Sequence, residues 1–121
     1  MKVLISDDDQ NLLDSMVRYL ERYDIEVHGF LYNDLAMNDL EAGFTPDFIL
    51  TDYDYGCGRR NGVDYIKALR SKHFTVPIAL VSGSSKQQLM KEIEGIDNVV
   101  VIEKSMNLCK MIFRFLNLNP Q

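Results

Sequence analysis

Polar residues with chemical potential stand where apolar runs of this chain end. Asp7, Asp8 and Asp9 follow "KVLIS", Asp52 and Asp54 close "ILTDYD", Ser82 and Gly83 follow "PIALV", and Lys104 follows "VVVIE". Carboxylates about 4 Å apart at an effective dielectric near 20 repel by roughly 4 kcal/mol per pair, so a cluster of them needs a cation. Oxygen-only ligands beside open solvent suit Mg2+, which keeps several waters and is commonly completed by a phosphate. With a cation held by the aspartate pair, a carboxylate oxygen of Asp52 can attack an in-line phosphorus. Lys104 then serves as a point charge for a phosphoryl oxygen and Ser82 offers a hydroxyl to another, while Gly83 leaves room.

These residues converge only if the intervening segments fold to bring them together. "KVLIS" is apolar without alternation, as in a strand covered on both faces. Leu13, Met16, Val17 and Leu20 then recur at helical spacing, and "IEVHGF" reads as a second strand. A short helix over Asn33 to Gly43, with Leu35 and Leu40 as its apolar residues, leads past Pro46 to "DFILTD". A glycine-rich loop precedes "GVDYIKALRSK", and "VPIALVS" is the fourth strand. "SSKQQLMKEIEGI" reads as a serine-capped fourth helix closing near Gly95, "NVVVIEK" as the fifth strand and "SMNLCKMIFRFLNL" as the fifth helix. Strict alternation predicts a doubly wound α/β fold, a five-stranded parallel sheet with helices on both faces. In the strand order 2-1-3-4-5 the switch point falls between strands one and three, which brings Asp7 and Asp8 beside Asp52.

The chain has 121 residues, 46% of them hydrophobic, which suits one domain with a real core spanning 1–121. Its net charge of -5 and the lack of a basic run argue against a nucleic-acid surface. Cys57 and Cys109 lie far apart without metal-ligand spacing, as expected of a reduced, cytoplasmic protein. No apolar run approaches the roughly 18 residues of a membrane span, so no membrane partner is expected.

The paired aspartates after the first strand, a lone Asp ending the third, a Ser ending the fourth and a Lys after the fifth together resemble the response-regulator receiver domain over essentially the whole chain. That family has the flavodoxin-like sheet. The resemblance implies that Asp52 accepts a phosphoryl group from a histidine kinase or phosphotransfer protein, and that Asp7, Asp8, Asp52 and the backbone carbonyl of Asp54 hold magnesium. It implies further that Lys104, Ser82 and Gly83 contact the phosphoryl group, that Ser82 moves as the switch is thrown, and that Asp54 and Ser84 tune the lifetime of the phosphorylated form. Such a protein is a signalling switch that catalyses only its own phosphorylation and dephosphorylation.

Four departures from the family pattern stand out. The segment from Asp52 to Gly62 is longer than usual and lacks a proline, and Ser105 replaces the proline after the lysine. Val101 stands where a Tyr or Phe usually reports the switch, and Ser6 occupies a position that is usually aliphatic, where a local hydrogen bond would satisfy it.

Plainer readings stand beside these. Asp9 is expected to be a helix cap, and the other aspartates could be caps or turn residues. Cys57 reads as an inert loop thiol, His28 and His73 as ordinary surface or strand-edge residues, and Arg59 and Arg60 as loop charges that could steer an acidic partner. In the last helix Met106, Met111, Ile112, Phe113 and Phe115 wrap more of the circumference than one sheet face can cover, which motivates a homodimer or a second domain as partner. Two rival functions remain: an interaction module that keeps the shape without phosphorylation, and a haloacid-dehalogenase-type phosphatase, whose nucleophile motif "DYD" imitates. Motif order disfavours the phosphatase.

Overall fold

The computed structural model of the chain describes residues 1–56, 58–83 and 86–104. Among these residues five strands and four helices alternate: β1 Lys2–Ser6, α1 Gln10–Glu21, β2 Glu26–Phe30, α2 Asn33–Glu41, β3 Phe48–Asp52, α3 Gly62–Ser71, β4 Ile78–Ser82, α4 Lys86–Glu92 and β5 Val99–Glu103. The strands form one parallel sheet in the order β2-β1-β3-β4-β5. The expected architecture and strand order are therefore observed. The fifth helix, from Ser105 onward, and with it the proposed partner surface, lies outside the described residues, as do Cys57, Ser84 and Ser85.

Why the strands lack polar alternation follows from the two cores. Successive side chains of a strand point to opposite faces, so a sheet covered on both sides needs apolar residues at every position. Val3, Ile5, Phe48, Leu50, Ala79, Val81 and Ile102 pack on one face with Leu13, Met16 and Leu20 of α1. Leu4, Ile49, Ile78, Leu80 and Val101 pack on the other with residues of α2, α3 and α4. Fully burying one such aliphatic side chain contributes about 1.5–3 kcal/mol.

Helix ends match their residues. Asp9 caps α1, its carboxylate accepting from the N–H groups of Asn11 and Leu12, as expected. Asn61 caps α3 by accepting from the N–H of Asp64 at 2.9 Å. In α2 the buried apolar residues are Ala36, Met37 and Leu40, whereas Leu35, one of the two apolar residues that mark the helix in the sequence, is 45% exposed. Helix α4 stops at Glu92, and the turn after it carries Gly95 at φ 83°, a left-handed conformation that suits glycine.

His28 proves more specific than a strand-edge residue. Its ring stacks on Phe44 at 3.7 Å between centroids, and its Nδ1 lies 2.7 Å from Asp39 Oδ2. It thereby ties the edge strand β2 to α2 and the turn that follows it. Among the described residues no helix is long and apolar enough to cross a membrane.

Candidate functional site

Parallel strands present all their carboxyl ends at one edge of the sheet, and register decides which residues meet there. The β1/β3 ladder runs from Val3 opposite Phe48 to Ser6 opposite Thr51, so Asp7 and Asp52 are the next residues outward on neighbouring strands. Asp52 pairs with Val81 on β4, and Ser82 pairs with Glu103 on β5. Lys104 follows at once, with its N–H donating to the Ser82 carbonyl at 2.8 Å.

Oxygens of Asp7, Asp8 and Asp52 lie within 4.8 Å of one another. Asp7 and Asp52 are buried and Asp8 is exposed, so the cluster has a dry floor and an open mouth. Lys104 reaches in from β5, its Nζ 3.1 Å from Asp52 Oδ1 and 3.4 Å from Asp7 Oδ2. Backbone donors add to this, with the N–H of Asp9 donating to Asp7 Oδ1 and that of Tyr53 to Asp52 Oδ1, each at 2.9 Å.

Burial pushes the Asp52 carboxyl up to about 7, and the neighbouring Asp7 charge pushes the same way against the pull of Lys104. Burial also raises Asp7, opposed by its hydrogen bond from Asp9 and by Lys104. Burial alone would lower Lys104, yet the two carboxylates outweigh it and raise this group, which holds its charge. With all three carboxylates ionised and one ammonium present, two negative charges remain unbalanced. A divalent cation of the hard, oxygen-seeking kind fits both that charge and the donor set.

The remaining sequence-chosen residues divide. Ser82 is buried at the end of β4 beside this cluster, and Gly83 is exposed just beyond it. Asp54 is exposed, and its carboxylate accepts from the N–H of Gly56 at 2.9 Å, so its side chain shapes the loop. Val101 is buried in the core opposite Leu80. Arg59 is held over the Tyr32 ring at 3.5 Å and lies 3.9 Å from Asp34, so it is a pinned residue and not a free loop charge. The carbonyl of Arg60 accepts from Asn33 Nδ2.

Ser6 is satisfied as expected, but by a residue the sequence did not single out. Its hydroxyl lies 3.2 Å from Thr51 Oγ1 and 2.8 Å from the phenol oxygen of Tyr55, which folds back from the loop after β3. The available signal was the pair Ser6 and Thr51, two hydroxyls at matched positions in otherwise apolar strands. Such a buried pair requires a further polar partner.

The family model for the response regulator receiver domain matches residues 3–115. The chain belongs to that family. No curated protein matches the receiver by sequence. Among solved structures it is similar to the chemotaxis response regulator CheY4 of Vibrio cholerae, with 21% identity, TM-score 0.79, and 95% of this chain and 98% of that one covered. A response regulator receiver protein from Sinorhizobium medicae shares 21% identity at TM-score 0.80, covering 99% and 97% of the two chains. The response regulator TrrA from Thermotoga maritima, solved in complex with Mg(2+)-BeF, shares 20% identity at TM-score 0.74, covering 95% and 98%. These likenesses extend over nearly the whole receiver and agree with its strand order.

Proposed function

We propose that this receiver takes a phosphoryl group onto Asp52 from a histidine kinase or phosphotransfer protein, with Mg2+ bound, and that the modified domain changes its contacts with an output partner. The observation that carries this reading is the placement of Lys104 Nζ within 3.4 Å of both Asp52 and Asp7, beside a carboxylate cluster suited to a divalent cation. Asp7, Asp8, Asp52 and the Asp54 carbonyl are the residues assigned to the metal. When bound, the metal neutralises charge on the cluster and on the transferring phosphoryl group.

The chain's own residues supply the rest. An oxygen of Asp52 forms the new bond to phosphorus as the bond from phosphorus to the donor nitrogen breaks, and the donor imidazole leaves with the electron pair. Lys104, held charged by its neighbours, faces the charge that gathers on a phosphoryl oxygen. The Ser82 hydroxyl serves another oxygen from the end of β4. Burial of Asp7 and Asp52 keeps competing water away from the floor. In this reading the protein is a switch that accepts one phosphoryl group on itself and later loses it to water as inorganic phosphate, which frees the Asp52 carboxylate.

Incubation with Mg2+ and acetyl phosphate tests this. The expected result is a mass gain of one phosphoryl group that Asp52→Asn abolishes. No gain at saturating donor favours the interaction module, which Val101 and the altered loop would suit.

A further inference from the structure

We propose that Tyr55 is a positioning residue that fixes the separation of the Asp52 and Asp7 carboxylates by splicing the ends of β3 and β1 through its phenol hydroxyl. This inference rests on the function proposed above. Register pairing of β1 with β3 ends at Ser6 and Thr51, one residue short of both aspartates. At that point the Asp52 N–H donates to the Tyr55 oxygen at 3.1 Å, and the Tyr55 hydroxyl donates to the Ser6 carbonyl at 2.8 Å. One oxygen thus joins the backbone of the acceptor residue to the backbone of the residue before Asp7.

A bound water could make the same bridge but would be free to leave; Tyr55 carries the bridging atom on the chain itself. The Ser6 and Thr51 hydroxyls each lie 2.8 Å from its oxygen. These groups form a hydrogen-bonded ring: Tyr55 gives its proton to the Ser6 carbonyl, Ser6 gives to Thr51, the Asp52 N–H gives to Tyr55, and the Thr51 hydroxyl faces both the Tyr55 oxygen at 2.8 Å and the Asp52 carbonyl at 3.1 Å. Tyr55 is 4% exposed, so the bridge is shielded from water. An apolar side chain of similar shape would fill the space but leave the Asp52 N–H and the Ser6 carbonyl unpaired in a buried setting.

The test compares Tyr55→Phe with Thr51→Val and Ser6→Ala, which remove other members of the ring and keep the bridge. Three quantities are read on the full chain: thermal stability, Mn2+ affinity by electron paramagnetic resonance without phosphodonor, and phosphoryl uptake from acetyl phosphate with Mg2+. Loss of a residue that orients ligands costs about 10–100-fold in metal affinity or activity. Tyr55→Phe is expected to fall in that range on both Mn2+ affinity and uptake, whereas Thr51→Val and Ser6→Ala lower stability alone. Wild-type Mn2+ affinity and uptake in Tyr55→Phe, or equal losses in all three variants, would overturn the inference. Should Tyr55→Phe not fold, Tyr55→Met replaces it, since a flexible thioether fills the space without a hydroxyl. If the wild type itself takes up no phosphoryl group, the function proposed above fails, and Mn2+ affinity alone decides the role of Tyr55.

Discussion

The ammonium of Lys104 stands 3.1 Å from Asp52 Oδ1 and 3.4 Å from Asp7 Oδ2, so one cation from the end of β5 binds carboxylates of β3 and β1 together. Positions separated by nearly the whole chain meet because the sheet order places β1 and β3 side by side, with β5 two strands beyond β3. A lysine side chain spans that gap.

Replacing Lys104 with methionine keeps the apolar stem and removes the charge. A hydrogen bond to a charged group contributes about 1.5–3 kcal/mol, which converts to about a 10- to 100-fold change in rate. The initial rate of Asp52 phosphorylation by acetyl phosphate at saturating Mg2+ is expected to fall by that factor. A rate within about twofold of wild type would remove Lys104 from the chemistry.

The raised pKa of Asp52 gives a pH signature. In the unfolded chain this carboxyl loses its proton near its ordinary value of 3.8, but in the metal-free fold it keeps it up to about 7. Between those values the folded state binds more protons, so stability from this group is full below the lower value and declines as pH rises toward the upper one. Metal-free wild type should therefore lose melting temperature from pH 5 to pH 8, and Asp52→Asn should flatten that decline. Calorimetry in the presence of a chelator measures it. The same titration limits the nucleophile, so at low Mg2+ the phosphorylation rate should rise with pH through about 7.

Much of this site was legible because its members are strand ends. Apolar runs marked the strands, the residues after them were polar, and the alternation of elements left few sheet orders to consider. Asp9 was recognisable as a cap because a carboxylate directly before a helical pattern has an obvious use. Tyr55 escaped because it acts through a loop that folds back, and nothing in periodicity reports such a return. Leu35 marked the helix but not its facing: an apolar residue in a short helix says little about which side is covered, and Ala36 with Met37 supplied the contact. His28 escaped since its partners, Asp39 and Phe44, come from the α2 segment and not from its own strand.

Asp8→Asn separates repulsion from metal binding because the two effects have opposite signs. Asp8 adds to the repulsion that raises both Asp7 and Asp52, so its neutralisation should raise the melting temperature of the metal-free protein. The same change removes the exposed ligand of the cluster, so the added stability from Mg2+ should shrink. Mass action predicts about 2.7 kcal/mol when free cation exceeds the dissociation constant 100-fold. Melting curves with and without Mg2+ on both proteins test the pair of signs. A variant that gains as much from Mg2+ as wild type would place the cation elsewhere.

Gly62 packs directly against the backbone of Asp52. A Cβ at this position would lie 2.4 Å from the Asp52 carbonyl oxygen and 2.7 Å from Leu80 Cδ1, while the Gly62 N–H donates to the Tyr53 carbonyl at 2.7 Å. The first turn of α3 therefore seats directly against the end of β3, and only a residue without a side chain permits that approach. Overpacking of this kind costs about 1–3 kcal/mol, so Gly62→Ala should lower the unfolding free energy by that amount in urea titration. Because the colliding atom belongs to Asp52, the strain falls on that residue as well as on the fold. Phosphoryl uptake at a temperature where the variant is fully folded should be slower than wild type. An unchanged rate together with reduced stability would show that β3 absorbs the added methyl without moving the carboxylate.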